Sequence, residues 1–513
     1  LHSHDVRKGT RGGNRTLKYY STVPVFNLEQ EYNIQRREFL KNSGLGAIAL
    51  ALIGVTYQCR NRPELPNFVF ILVDDLGWKD VGFMGSQFHE TPQIDQLARE
   101  GIYFTNAYTN APNCAPTRAC LLSGQYMSRH GIYTVGNSER GNPKFRKLIP
   151  TPNQTVMNPA NLTLAEALKM RGYATASIGK WHLGTDPESG PLVQGFDLNL
   201  AGNQAGAPRT YFSPYRNKNL TDGPEDEYLT DRLTSEALRF IDANHHRPFF
   251  LYLPHFAVHT PIQAQPKLIE KYKNKPATNG QNHPEYAAMV ESVDASVGRI
   301  LDQLTEHHLN EKTLVIFFSD NGGHGNFTSM QPLRGSKGQL YEGGIRVPCI
   351  FRWTGTIQPG QVCHTPIIGL DFFPTLLESA DISIPEDKIL DGVSLLPLIK
   401  SGASLEREAL YWHFPAYLEP YNASQLPWRI TPAGAVRKGD WKLLEFFEDG
   451  RLELYNLKTD IGETKNLLNE NPEKAQELYA LMKNWRQELQ APVPIELNPL
   501  YDASAEPTLE NNR

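Results

Sequence analysis

Cysteine is scarce: 5 residues in a chain of 513, too few for a disulfide-stapled scaffold. The odd number leaves at least one thiol unpaired, and Cys349 and Cys363 are open to pairing in an oxidising compartment. An excess of charge of one sign is also lacking. Lys and Arg total 51 against 56 Asp and Glu, a net charge of −5. No broad cationic field is therefore offered to nucleic acid, and an anionic ligand must be met locally. Long hydrophobic runs are missing too. The uncharged stretch 44–55 has 12 residues, where a membrane-spanning helix needs roughly 18 or more. What is there is the composition of a globular enzyme: 40% hydrophobic, 21% charged and 10% aromatic residues. With 40 Gly and 37 Pro, long loops are favoured over a helical bundle, and disorder, collagen and coiled coil are excluded as the main state. At roughly 150 residues per domain the chain has room for two to four units and a buried active site.

The charge is unevenly spread. Residues 1–62 carry ten basic and four acidic side chains, a surplus of six, against −11 over the remainder. Gln35-Arg36-Arg37-Glu38-Phe39-Leu40-Lys41 precedes the run 44–55, whose length suits the apolar core of an export signal. The paired arginines, followed by Phe39, Leu40 and a basic residue, resemble a bacterial twin-arginine signal, the address of a protein exported already folded. An amphipathic helix with a chance Arg-Arg pair is the plainer alternative. The resemblance implies the twin-arginine export machinery as a partner and a periplasmic or secreted destination. Residues before Arg36 show no hydrophobic period and read as a disordered leader. No small-x-small cleavage site follows, and Gln58 stands where a lipobox wants a small residue, which tells against lipid anchoring at Cys59.

From residue 63 the pattern alternates. The continuous apolar run 67–73 reads as a strand buried on both faces. Thr91-Pro92 caps a helix carrying Ile94, Leu97 and Ala98 and stopped by Gly101. Thr163 and Glu166 form a capping box ahead of a second helix, and a strand at 173–178 follows. Helical patterns at 230–243 and 286–308 alternate with strands at 249–253 and 313–318. This predicts an α/β domain over 63–404, a large, mostly parallel sheet sandwiched by helices. After 405 come short strands at 433–437, 441–447 and 451–455, a turn at Glu448-Asp449-Gly450 and a helix at 473–488. That grammar predicts a smaller C-terminal α+β domain with an antiparallel sheet over 405–495, and a tail over 496–513.

In open α/β sheets ligands sit beyond the carboxyl ends of strands. Val73-Asp74-Asp75 ends the first strand, and Ser319-Asp320-Asn321-Gly322-Gly323 ends the one near 316. Asp74-Asp75 alone reads as a solvated turn or a cap. Combined with Asp320 and Asn321 the set is all oxygen, suited to a hard cation such as Ca²⁺ or Mg²⁺. Between the two lies Asn113-Cys114-Ala115-Pro116-Thr117-Arg118-Ala119-Cys120. Pro116 with Leu121 and Leu122 predicts a helix beginning just after Cys114, which places the thiol at the positive end of a macrodipole with Arg118 one turn away. Such a thiolate is expected to be acidic and reactive, whereas an isolated cysteine is ordinarily a buried structural residue.

The run Cys114-Ala-Pro-Thr-Arg118, continued by Ala119-Cys-Leu-Leu-Ser-Gly-Gln125, closely resembles the C-x-P-x-R signature of type I sulfatases, arylsulfatase-like members of the alkaline-phosphatase-like superfamily. Thr117 departs from the commoner Ser or Ala. Gly179-Lys180-Trp181-His182-Leu183-Gly184, Ala257-Val258-His259-Thr260-Pro261 and Arg334-Gly335-Ser336-Lys337-Gly338 are similar to further segments of that family, in its chain order. Singly, each His or Lys reads as a surface group. The resemblance implies that Cys114 is converted by a formylglycine-generating or anaerobic sulfatase-maturating enzyme to 3-oxoalanine (Cα-formylglycine), whose hydrate is the nucleophile. It implies Asp74, Asp75, Asp320 and Asn321 as ligands of Ca²⁺, with Mg²⁺ as the alternative ion. Arg118, Lys180 and Lys337 are the implied electrostatic clamp, His259 the proton donor to the leaving oxygen and His182 the base that collapses the intermediate. His324 and Asn203 are weaker candidates for substrate contact.

The expected activity is hydrolysis of sulfate monoesters on sulfated carbohydrates, with aryl sulfates as surrogates. A formylglycine-dependent phosphonate or phosphodiester hydrolase, or a noncatalytic carbohydrate-binding protein with unmodified Cys114, are the rivals. Specificity is expected from the loops 136–160 and 200–228 and from the C-terminal domain, where Tyr411 and Trp412 read as core in preference to a sugar platform.

Overall fold

The computed structural model describes residues 64–421 and 427–505. The arginine pair, the run 44–55 and Cys59 lie outside the described residues. β1 (Asn67–Val73) is buried at every position. Its alternate side chains feed two different cores: Val69, Ile71 and Val73 enter one, and Phe68, Phe70 and Leu72 the other. A period-two chain that is apolar on both sides needs cover on both faces, and each such side chain contributes about 1.5–3 kcal/mol on burial.

The strands that follow are β2 (Ile102–Phe104), β3 (Ala107–Tyr108), β4 (Ala174–Ile178), β5 (Leu198–Leu200), β6 (Phe249–Pro254), β7 (Thr313–Ser319), β8 (Cys349–Arg352), β9 (Gln361–Cys363) and β10 (Ile367–Ile368). The main sheet has the order β5-β4-β6-β1-β7-β8-β2-β9. The first five strands of that order are parallel, β8 runs against both its neighbours, and β2 pairs in parallel with β9.

The helices longer than one turn in this part are α1 (Pro92–Arg99), α2 (Cys114–Ser123), α3 (Leu164–Met170), α4 (Leu229–Asn244), α5 (Pro266–Lys273), α6 (Pro284–Glu306), α7 (Phe372–Ser379) and α8 (Leu396–Ser401). α1, α4, α5 and α6 bury their apolar stripes on one face, and α2, α3, α7 and α8 on the other. This is the sandwiched, mostly parallel α/β architecture that the alternation predicts. The capping box of α3 forms as read, with Thr163 and Glu166 bonded reciprocally. Thr91 does not cap α1. Its hydroxyl donates to Asp95 Oδ1 at 3.1 Å, while the free amides of Gln93 and Ile94 reach across to Asp294 Oδ1 of α6 at 2.9 and 2.8 Å. A carboxylate offered by a neighbouring helix has displaced the local hydroxyl.

The C-terminal strands β11 (Leu410–Phe414), β12 (Ala433–Lys438), β13 (Trp441–Phe446) and β14 (Arg451–Asn456) form an antiparallel meander in that order. α9 (Pro472–Glu488) covers it through Leu478 and Met482, packed with Val436, Leu443 and Leu454. The other side of this sheet has no core of its own. Leu410, Trp412, Phe414 and Ala433 share one cluster with Tyr108, Ala111, Cys120 and Leu340 of the larger part. Trp412 donates Nε1–H to Thr109 O at 2.7 Å, and Tyr411 stacks on Trp485 at 4.9 Å, so both aromatics are packing residues. Buried Lys442 of β13 bonds Glu342 and Glu463, both at 2.9 Å. Cys114, Cys120, Cys349 and Cys363 are all buried free thiols.

Candidate active site

β4, β6, β1 and β7 are adjacent and parallel, so their carboxyl ends open at one edge. The sequence-derived residues leave that edge on four successive loops: Lys180 after β4, His259 after β6, Asp74 and Asp75 after β1, and Asp320 and Asn321 after β7. Ladder bonding continues past the strand ends and fixes the loops. Asp74 N donates to Ala257 O at 2.9 Å, Asp320 N to Val73 O at 3.1 Å and Lys180 N to Pro254 O at 2.7 Å. Two site residues hold a left-handed backbone, Asp75 with φ 63° and His182 with φ 66°, a region costly for residues with a Cβ. Tyr286 Oη donates to Asp75 O at 3.1 Å, and His182 N donates to Asn203 O at 2.9 Å. Asn203 thus serves His182 through its backbone.

The side chains converge. One donor or acceptor atom each from Asp74, Asp75, Cys114 and His259 lie within 4.8 Å of one another. Arg118, fully buried, directs Nε and Nη2 to Asp320 Oδ2 at 2.9 and 2.7 Å and Nη1 to Lys180 O at 2.7 Å. Lys180 Nζ lies 2.5 Å from Asp74 Oδ2, and Lys337 Nζ lies 2.6 and 2.8 Å from the two oxygens of Asp75. Asn321 Nδ2 donates to Asp75 Oδ1 at 2.8 Å and to Gly322 O at 2.9 Å. That orientation leaves Asn321 Oδ1 buried without a hydrogen-bond partner, and Asp74 Oδ1 is left likewise. Bare, buried oxygens among three carboxylates are the donor set of a hard cation, so the residues present fit a divalent ion.

Charge state follows from burial. Desolvation, reinforced by Asp320, pushes Asp74 up to about 8 against the pull of Lys180. Burial would raise Asp75 too, but Lys337 and His259 outweigh it and hold the carboxyl below the usual range. Burial, aided by Lys337 and opposed by Asp75, takes His259 down to about 3. Its Nδ1–H donates to Thr260 O at 2.9 Å, leaving Nε2 to face Asp75 at 3.8 Å. Burial, with Lys180 and Arg118, holds His182 well below its ordinary value, and its Nδ1 has no partner.

Cys114 is the first residue of α2, one position earlier than the proline suggests. It is 1% exposed, and burial raises its thiol to about 11 despite Lys180 and Lys337. Burial therefore works against the acidity expected from the helix terminus, whose macrodipole offers only a partial charge.

A cavity of about 430 Å³ opens onto these groups, with Cys114, His182, His259, His324 and Lys337 in its lining. Val135 and Arg140 enter from one loop, Gly206 and Ala207 from another, and Leu418, Glu419, Tyr421 and Arg429 from the C-terminal part. Neither Arg140 nor Arg429 belongs to a spaced pattern, so the sequence points only to the loop 136–160 and the C-terminal domain that carry them. Gly206 is required sterically, since a Cβ there would lie 2.5 Å from the His182 ring.

The family model described as Sulfatase matches residues 66–382. The chain belongs to the sulfatase family. A second model, N-sulphoglucosamine sulphohydrolase, C-terminal, matches residues 336–491 of this sulfatase. A protein named Sulfatase from Formosa agariphila is 33% identical over 88% of this chain and 93% of its own length. Human N-acetylgalactosamine-6-sulfatase is 34% identical over 68% of this chain and 69% of its own. The solved structure of Ps i-CgsB in complex with k-i-k-neocarrahexaose superposes with a TM-score of 0.70 and 29% identity, covering 84% of this chain and 94% of that one. The enzyme is thus a sulfatase, a hydrolase of sulfate esters, on the fold that its sequence predicts.

Proposed function

We propose that this sulfatase removes sulfate from sulfated carbohydrates, using Cys114 converted to Cα-formylglycine and a divalent cation, Ca²⁺ or Mg²⁺, held by Asp74, Asp75, Asp320 and Asn321. The observation that carries the reading is the meeting of Cys114 with Asp74, Asp75 and His259 inside 4.8 Å, ringed by Arg118, Lys180 and Lys337. A thiol raised to about 11 is a poor nucleophile at neutral pH, which favours conversion over thiolate chemistry. Conversion supplies an aldehyde hydrate in its place, and the bound cation supplies charge stabilisation.

The chain's own groups do the rest. Arg118, Lys180 and Lys337 compensate the charge of the ester and of the transition state, each well-aimed donor being worth about 2.7–4 kcal/mol in comparable sites. The arriving sulfate anion offsets Lys337, one of the causes that hold His259 low. His259 Nε2 can then carry the proton that the departing alcohol oxygen needs. His182, neutral and with Nδ1 unpartnered, takes the proton released when sulfate leaves. A carbohydrate leaving group is supported by the relative named N-acetylgalactosamine-6-sulfatase and by the neighbour solved with k-i-k-neocarrahexaose.

We further propose maturation of Cys114 by a formylglycine-generating or anaerobic sulfatase-maturating enzyme, and periplasmic or secreted action after twin-arginine export. Mass spectrometry of the Cys114 peptide tests the nucleophile: the converted form lacks sulfur and resists alkylation, and Cys114→Ala abolishes turnover while the protein stays folded. Wild-type rates from that variant reject the assignment. Faster hydrolysis of an aryl phosphodiester than of an aryl sulfate favours the phosphonate or phosphodiester hydrolase instead.

A further inference from the structure

The cavity carries a second group of cations that the mechanism above does not use. Arg140 and Arg429 line it together with Cys114, His182, His259 and Lys337. Arg429 is held rigidly. Its guanidinium carbon lies 3.3 Å above the Tyr421 ring, and the His324 ring lies 3.9 Å from that of Tyr421. Tyr421 Oη donates to Lys337 O at 2.6 Å, and Arg429 Nη1 donates to the same carbonyl at 3.3 Å. The whole assembly is thereby tied to the residue beside the nucleophile.

Among the described residues Arg429 makes no ion pair, and Asp75 and Glu419 act on it only at longer range. Its buried Nε has no hydrogen-bond partner. The cavity's carboxylate, Glu419, is already engaged, 2.8 Å from Arg140 Nε and accepting from Gly141 N at 3.0 Å. Burial, reinforced by the like charge of Arg140 and opposed by Tyr421, depresses the basicity of Arg429. Two guanidinium groups share one partly enclosed space with one carboxylate, and one of them lies over an aromatic ring. That is the geometry in which arginine takes a carboxylate or sulfate through paired hydrogen bonds.

The sulfate to be cleaved must reach the floor at Cys114, so the rest of the cavity holds the alcohol that bears it. We propose that Arg429, with Arg140 beside it, forms a second oxyanion subsite for a sulfate or carboxylate carried by the same saccharide on the leaving-group side of the scissile ester. This rests on the sulfatase reading and narrows its substrate to at least dianionic sugars.

The test compares kcat/KM of the wild-type, Cys114-converted enzyme with Arg429→Gln and Arg140→Gln. Four substrates are needed: 4-nitrophenyl sulfate, a neutral monosulfated disaccharide, its disulfated form, and a monosulfated disaccharide containing a uronate. The wild type is expected to prefer at least one dianionic disaccharide over the neutral one by tenfold or more. Arg429→Gln should lower the ratio of dianionic to aryl turnover by about ten- to a hundredfold, mainly through KM, and Arg140→Gln by a smaller factor. The disulfated and uronate arms identify which oxyanion is read. Arg140 is 37% exposed, so its replacement carries the same comparison should Arg429→Gln fail to fold. Aryl turnover with a ratio that moves less than threefold in both variants overturns the subsite alone. No turnover of any of the four esters overturns the hydrolase reading and the subsite with it.

Discussion

Replacing Arg118 by alanine tests how the floor of the active site is held. The guanidinium is fully buried, donates Nε–H to Asp320 Oδ2 at 2.9 Å and Nη1–H to Lys180 O at 2.7 Å, and holds Nη2 2.7 Å from the same Asp320 oxygen as an ion pair. Its loss strands a carboxylate and a carbonyl in the protein interior. Removing one partner of a buried pair costs about 3–5 kcal/mol, and the orphaned carbonyl is part of that figure. In chelator-containing buffer, urea unfolding followed by tryptophan fluorescence should therefore show Arg118→Ala about 3–5 kcal/mol less stable than the wild type. With Ca²⁺ held as proposed, Asp320 would have another counter-charge in millimolar Ca²⁺, and the difference should shrink. Arg118→Lys keeps the charge, but one ammonium cannot bridge Asp320 and Lys180 O as the fork does. It should be intermediate in stability and slower on aryl sulfate by about 10²–10³. A loss below about 1 kcal/mol in chelator refutes the buried pair. An equal loss with and without Ca²⁺ refutes the placing of Asp320 in the cation site.

Gly206→Ala puts a methyl 2.5 Å from the His182 ring, and the displaced imidazole should lower kcat by about 10–100-fold with little change in the denaturation midpoint; a wild-type kcat would remove His182 from the proton inventory. Asp294, raised by burial from 3.8 to about 7, binds its proton more tightly folded than unfolded. Its contribution to stability is therefore whole below about pH 4 and is lost as pH rises to about 7. Asp294→Asn keeps an oxygen for Gln93 N and Ile94 N and should gain on the order of 2–4 kcal/mol relative to wild type between pH 4 and pH 7, read from denaturation curves at both; parallel pH profiles would exclude it. Lys442→Met leaves Glu342 and Glu463 facing each other without the ammonium 2.9 Å from each. Urea unfolding should register a loss of about 3–5 kcal/mol, and an unchanged midpoint would show that the pair is not needed.

Much of this was legible in the sequence, for identifiable reasons. The runs 67–73 and 313–318 are apolar on both sides of the pleat, which only a sheet covered on both faces can satisfy. Asp74, Asp75, Asp320 and Asn321 directly follow those runs, so their meeting is dictated by strand direction. Lys180, His182, His259 and Lys337 were found through motifs, because no periodicity marks them. The short strands β2, β8 and β9 give too few residues for a period and were not anticipated. Burial also lay beyond the sequence: it reverses the expected acidity of Cys114, and it lets Asp294, two hundred residues away, replace Thr91 as the cap of α1. Arg140 and Arg429 stand in loops of ordinary composition, and only the folded chain makes them neighbours.

The C-terminal meander lends its inner surface to the larger α/β part. Trp412 holds the carbonyl of Thr109 on the approach to α2, and the connection leading into β12 contributes Leu418, Glu419, Tyr421 and Arg429 to the cavity. Recognition and scaffold are therefore cut from one piece. Chimaeras that graft another family member's C-terminal part onto residues up to about 404 would strip the shared cluster of half its members, so new selectivity has to be engineered one side chain at a time around the cavity mouth.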